Sequence, residues 1–262
     1  MKELIIKIKK KKELQGLSDN FVKDILQEYL TKRNIREIKG KKSEKIVIKI
    51  IRAELRKYAG RYQYKTKINR FNLLKKGRIK EILKTHTSTK ERIESKAYPK
   101  LIKIINKLNP NSILDLGCGL NPLAIANKLN KNVKYYTCDI KEDELKLLSE
   151  FFKKEKIKGK VFYADLRKEN KFPKTDLCLL LKILDIIEPK GHRLAEKIVK
   201  NLKCRNIIVS FSTKTLSGRP MKYTKREWLE KFLIRLNYSF KILKTNNEIF
   251  YTIQKTRADH DL

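Results

Sequence analysis

The eleven residues from Ser112 to Pro122, S-I-L-D-L-G-C-G-L-N-P, constrain the fold more than any other stretch. A short apolar strand runs into an acid and then a Gly-x-Gly turn, the arrangement by which an open α/β sheet brings bare backbone against a nucleoside. The dinucleotide fingerprint needs a third glycine three residues after the second, and Pro122 stands there, which argues against NAD. Gly-x-Gly alone also serves plain turns that need positive φ. The turn therefore takes its meaning from what surrounds it.

From Ser112 onward, strand-like runs alternate with segments of helical periodicity. The strands are expected at 112–117, 133–139, 160–165, 176–182, 206–212, 238–244 and 248–255, with helices including 143–157, 191–202 and 224–236. Only Thr245, Asn246 and Asn247 separate the last two strands, too few for a crossover, so that pair is antiparallel. The fold class is α/β, with a mostly parallel, Rossmann-like seven-stranded sheet. Ligands of such sheets lie over the carboxyl ends of the strands. Asp115 stands at the end of the first strand beside Gly117 and Gly119. Asp139 ends the second, where a carboxylate accepts both ribose hydroxyls, and Asp165, followed by Leu166, ends the third and suits an adenine amino group. One acid at a strand end commonly just caps the next helix; three in phase with the two glycines make a nucleoside site, and together they suit S-adenosylmethionine.

Against 29 acidic residues stand 65 Lys and Arg, a net charge of +36, far more than solubility requires. A Lys-rich proteome explains part of the excess; the remainder calls for a polyanion, and nucleic acid is the expected partner. Membrane is excluded as a partner because no run of about 18 apolar residues exists, and no signal-peptide core opens the chain. Cytoplasmic residence is expected. Residues 1–84 hold 27 Lys/Arg and 9 Asp/Glu, half the net charge on a third of the chain. Two domains are expected, a basic helical one over 1–84 and a catalytic one over 85–262. In the first, Ser18 caps a helix carrying Phe21, Val22, Ile25 and Leu26; a second helix follows Ser43 and stops at Gly60; a third spans Ile68 to Leu83. Tyr58, Tyr62 and Tyr64 either stack on bases or pack on neighbours. Cys118, Cys138, Cys178 and Cys204 show no C-x-x-C pair, and with His86, His192 and His260 scattered they form no metal set. Trp228 suits core packing.

Immediately before the domain stands H-T-S-T-K-E-R, His86 to Arg92. With D-L-G-C-G-L-N-P, with S-F-S-T-K-T-L-S-G-R (Ser210 to Arg219) and with L-L-K-I-L-D-I-I-E (Leu180 to Glu188), it resembles the 16S rRNA guanine-N7 methyltransferases of the aminoglycoside-resistance group, the Arm/Rmt and FmrO-like family. The likeness covers residues 84 to about 255. It implies a class I S-adenosylmethionine-dependent methyltransferase with an N-terminal helical domain that docks on 16S rRNA of the assembled small ribosomal subunit. A monomer acting on guanine N7 in the decoding region is expected. Asp185 departs from the pattern, standing where the family usually has proline.

The resemblance also suggests roles. Arg92 offers a guanidinium fork to the cofactor's methionine carboxylate. His86 belongs to the same cofactor set and, with Ser88 and Thr89, caps and orients the helix presenting Arg92. Lys182, ending the fourth strand, borders the entry of the target base and is the candidate for positioning it. Lys214, Arg219 and Lys222 are candidates for gripping RNA phosphates. Two alternatives stand beside this reading: an rRNA or tRNA methyltransferase acting on another base atom, and a ribosome-binding factor without turnover. Drug resistance and housekeeping modification both fit.

Overall fold

The computed structural model describes residues 1–60, 68–169, 171–188, 191–215 and 218–256. Its sheet comprises β1 (Ser112–Leu116), β2 (Lys134–Asp139), β3 (Gly159–Tyr163), β4 (Thr175–Leu181), β5 (Cys204–Ser212), β6 (Ser239–Lys244) and β7 (Glu248–Gln254), in the order β3-β2-β1-β4-β5-β7-β6. Strands β1 to β5 run parallel, while β7 lies antiparallel to both β5 and β6. The expected hairpin is closed by the Thr245 N–H on the Glu248 carbonyl, 2.8 Å away. The apolar runs of β4 and β5 are buried on both faces, as central parallel strands require.

Period-2 alternation divides the core. Ile113, Leu177 and Ile208 face one layer with α8 (Ala97–Leu108) and α10 (Glu142–Glu155). Leu114, Cys178 and Val209 face the other, with α12 (Arg193–Asn201) and α13 (Glu227–Arg235). All four cysteines are buried and free. Trp228 stacks on His192 at 4.3 Å and meets the Phe211 edge.

The N-terminal unit holds α1 (Lys2–Lys9), α2 (Lys12–Gln15), α3 (Asp19–Lys32), α4 (Gly40–Leu55) and a π turn, Arg56–Gly60. Ser18 caps α3, its hydroxyl accepting from the Asn20 N–H at 3.2 Å. Helix α4 starts before Ser43, which lies in its first turn and not at its cap. The lysine-rich start of this helical region is itself helical because Ile5, Ile8, Leu14 and Leu17 give it a buried stripe against α3 and α4. Tyr62 and Tyr64 lie outside the described residues.

The helix expected over 68–83 is two helices, α5 (Arg70–Lys75) and α6 (Ile79–Leu83). Gly77, at φ +71°, ends α5: its N–H meets the Leu74 carbonyl at 3.1 Å and the Arg78 N–H meets Leu73 at 2.9 Å, the paired bonds of a left-handed helix terminus. Leu73, Leu74, Ile82 and Leu83 pack into the core layer of the sheet, not the N-terminal core. The packing division therefore falls before Arg70, where the sequence suggested Lys84. Among the described residues no helix is long and apolar enough to cross a membrane.

Candidate active site

The carboxyl ends of β1 to β4 open on a cleft lined by Gly117, Gly119, Asp139, Asp165 and Lys182, the place where open α/β sheets take their ligands. Gly117 and Gly119 turn the chain at φ +61° and +50°. A Cβ at Gly117 would lie 2.6 Å from Ile183, and one at Gly119 would lie 3.4 Å from His86 Nε2. Ile183 leaves room only for bare backbone at Gly117, and the left-handed φ favours glycine at Gly119. Asp139 is fastened to this turn: its Oδ2 accepts the Gly119 N–H at 2.9 Å, and Oδ1 accepts those of Ile140 and Lys141 at 2.7 and 3.1 Å. Its surroundings raise its pKa to about 6, desolvation and the nearby Glu144 outweighing those N–H donors. Asp165 and Leu166 line the cleft beside Ile140, but both Asp165 oxygens are held in the fork of Arg167, at 3.0 and 2.7 Å.

The H-T-S-T-K-E-R segment forms α7 (Thr87–Glu94). Thr89 anchors it by donating to the carbonyls of Leu83 and His86. His86 stands at the N-cap position without a side-chain capping bond, contrary to the capping expected of it. Its imidazole instead lies against Gly119 and Glu144, and burial, partly opposed by Glu144, lowers it to about 4. It is neutral at pH 7. Glu144 is held near 2 despite its burial by Lys141, His86 and Arg70; Lys141 and Arg70 donate to it at 3.2 and 3.3 Å.

Arg92 lines the cleft, yet its bidentate face is turned inward. Nε and Nη2 donate to Glu248 at 2.9 and 2.7 Å, and Nη1 donates to Asn121 at 2.7 Å. The fork expected for a ligand carboxylate is thus taken by an internal one. Glu248 also accepts from Ser210 at 2.5 Å and lies 3.7 Å from the Lys182 ammonium. Although burial raises it, Arg92 and Lys182 carry its pKa below the ordinary glutamate value. Lys182, at φ +60°, pairs with Glu91 at 2.7 Å and faces the cleft. Glu248 was not among the expected site residues; its signal was a charge set directly before the apolar run Ile249–Tyr251.

Asp115 departs further. It lies behind the glycine turn and does not line the cleft, with no exposure and its Oδ2 accepting from the Tyr135 hydroxyl at 2.9 Å. Oδ1 is buried without a partner. Burial raises its pKa to about 7, the Tyr135 bond opposing. A carboxyl raised on folding contributes stability at low pH that is lost as pH rises through the folded value. Asp115→Asn is therefore expected to raise stability at pH 8 by about 1–3 kcal/mol and to change little at pH 3, below the pKa of the unfolded carboxyl, where both states are protonated. Thermal unfolding at both values checks this; equal shifts would argue against an ionised Asp115.

After β5, Lys214, Arg219 and Lys222 sit on a loop closed by the Thr215 N–H on the Arg219 carbonyl at 2.8 Å, with Arg219 and Lys222 exposed. Asp185, in the position of the family's proline, binds Arg226 at 2.7 Å and ties α11 (Leu184–Ile187) to the segment entering α13.

The strand order, the glycine turn after β1 and the acid ending β2 define a class I S-adenosylmethionine-dependent methyltransferase. Residues 73–252 match the profile of the ribosomal RNA methyltransferase (FmrO) family, and the chain belongs to that family. It is 28% identical over 185 residues, 70% of this chain and 72% of the relative, to a 16S rRNA (guanine(1405)-N(7))-methyltransferase of Serratia marcescens. A protein of the same description from Micromonospora echinospora is 26% identical over 182 residues, 68% of this chain and 66% of the relative. Among solved structures, the 16S rRNA methyltransferase RmtF in complex with S-adenosyl-L-homocysteine superposes with a TM-score of 0.78 at 22% identity, covering 97% of this chain and 98% of that one. The 16S rRNA methylase ArmA gives a TM-score of 0.55 at 28% identity, covering 73% of this chain and all of that one.

Proposed function

We propose that this protein transfers a methyl group from S-adenosylmethionine to N7 of a guanine in the decoding region of 16S rRNA, acting as a monomer on the assembled small subunit. The observation that carries the reading is Asp139 fixed on the Gly119 N–H at the open end of β2, within a family of ribosomal RNA methyltransferases. The donor set fits the cofactor. Asp139 would accept ribose hydroxyls, the apolar Ile140 and Leu166 would face the adenine, and the bare backbone of Gly117 and Gly119 would leave room for the amino-acid end. When bound, S-adenosylmethionine supplies an electrophilic methyl group. The chain's residues then need only align the acceptor, because guanine N7 carries an available lone pair and no proton must be removed. Lys182, braced by Glu91 and Glu248, positions the base at the cleft mouth. The basic helical unit docks on RNA phosphates, and the groove between α1 and α4 lined by Lys7, Lys11, Lys49 and Arg52 suits that role.

Tritiated methyl transfer to small subunits, protein-free rRNA and tRNA, with mapping of N7-methylguanine, tests the reading. Transfer to a guanine of intact subunits is expected; label at an adenine or in tRNA would overturn it. A second expectation concerns pH. Ribose hydroxyls require the ionised form of Asp139, whose pKa in the ligand-free protein is raised to about 6. Affinity for S-adenosylhomocysteine should therefore fall about tenfold per pH unit below that value. Asp139→Asn should flatten the profile in calorimetric titration, and a flat wild-type profile would remove Asp139 from the ligand.

A further inference from the structure

Resting on the cofactor reading above, we propose that the helical unit is a wall of the nucleoside pocket: Phe21 and Tyr58, with Arg167 clamped against both, close its adenine end. Phe21 on α3 and Tyr58 in the π turn line the same cleft as Asp139, Asp165 and Leu166. Their rings meet edge to face at 5.4 Å, and the Arg167 guanidinium lies over each, at 4.7 and 5.1 Å. From there its Nε and Nη2 hold both oxygens of Asp165, while Nη1 reaches Glu28 of α3 at 3.4 Å.

A carboxylate at the end of β3 reads an exocyclic amino group only if it is fixed, and Arg167 does the fixing. Oδ1 takes the Arg167 backbone N–H and Nε, whereas among the described residues Oδ2 takes Nη2 alone, leaving Oδ2 a lone pair for the ligand. The guanidinium is in turn immobilised by two rings of the helical unit, whose stacking on Arg is worth most where water is excluded. The loop carrying Asp139 is held the same way. Its Ile140 carbonyl accepts the Ser18 N–H at 3.1 Å, and the Glu142 N–H donates to the Gly16 carbonyl at 2.8 Å. Both sides of the nucleoside subsite are thus fastened to residues 16–58, so the unit that carries the RNA-docking charge also shapes the cofactor site.

Full-length variants separate this wall from mere packing. Arg167→Lys keeps the charge and loses the planar fork; Tyr58→Leu keeps apolar bulk and loses the ring. Lys168→Ala cuts the ion pair to Asp24 at 2.9 Å, which crosses the same junction away from the cleft. Calorimetric titration uses S-adenosylhomocysteine and 5′-methylthioadenosine, which has the nucleoside but no amino-acid end. Arg167→Lys and Tyr58→Leu are expected to weaken both probes about tenfold and by equal factors, with Lys168→Ala matching wild type. Wild-type affinity in both pocket variants, a loss confined to S-adenosylhomocysteine, or an equal loss in Lys168→Ala would overturn the wall while the cofactor reading stands. Failure of wild-type protein to bind either probe would overturn both.

Discussion

Glu248→Ala is expected to lower stability by about 3–5 kcal/mol, the usual cost of stranding one partner of a buried ion pair. The guanidinium of Arg92 is 1% exposed and has both Nε and Nη2 on Glu248, while Ser210 donates to the same carboxylate. Removing it leaves a buried cation with Asn121 as its remaining side-chain acceptor and frees Lys182 from one of its two carboxylates. Double substitution to Arg92→Met with Glu248→Met should cost less than the two single changes added, because apolar side chains of similar volume tolerate the site once neither charge remains. Urea unfolding of the four proteins measures the coupling, and additive losses would mean that the pair is not an interacting unit. The pH dependence has a fixed sign. Glu248 is lowered on folding, so its contribution is present above the ordinary glutamate pKa and is lost as pH falls through the folded value. Glu248→Ala should accordingly flatten the acid limb of the stability curve.

The sheet was legible because its signals are local. Strand-like runs alternating with helical periodicity gave all seven strands, and the three-residue link at Thr245–Asn247 forced the antiparallel edge. Where the helices turn their apolar faces was not legible. Periodicity marks Leu73, Leu74, Ile82 and Leu83 as buried without saying against what, and they chose the sheet layer. Likewise a run such as Lys9–Lys12 reads as low complexity until Ile8 and Leu14 on either side of it find α3 and α4. Gly77 in the middle of an otherwise periodic segment was the readable warning that one helix would be two.

Strand-end positions were legible too, since topology alone carries Asp139, Asp165 and Lys182 to the open edge of the sheet. Side-chain partners were not. Arg92 and Glu248 lie 156 positions apart, and nothing near either shows that the fork would be spent internally. Asp115 is the instructive case, because alternation did hold the answer. It shares the parity of Ile113, whose side chain is covered by the α8 layer, so its carboxyl follows Ile113 inward to Tyr135. The place of Phe21 and Tyr58 in the cleft wall was hidden for the opposite reason. Both read as ordinary core or surface aromatics of a separate domain until the segment 16–18 is seen bonded to 140–142.

If Lys214 and Arg219 grip RNA as proposed, Lys214→Glu combined with Arg219→Glu is expected to cut methyl transfer to small subunits about 100-fold or more at physiological salt, since each reversal would remove a cation offered to a phosphate and add repulsion. The loop is well placed for this. It leaves the carboxyl end of β5 and is pinned at its base by Thr213, whose N–H meets the Asn247 carbonyl at 3.1 Å and whose carbonyl accepts Met221 at 2.9 Å. A base held this firmly below the half-buried Lys214 and the exposed Arg219 leaves them free to grip RNA without disturbing the cleft, which neither of them lines. Cofactor affinity should therefore be unchanged in calorimetric titration. Filter binding of subunits over a range of salt gives the second readout, where the slope of log affinity against log salt should fall by about one for each phosphate that is no longer neutralised. A double variant that binds subunits with the wild-type slope but still fails to methylate would place these residues at the base and not on the backbone. Full activity would remove the loop from RNA recognition and leave docking to the helical unit alone.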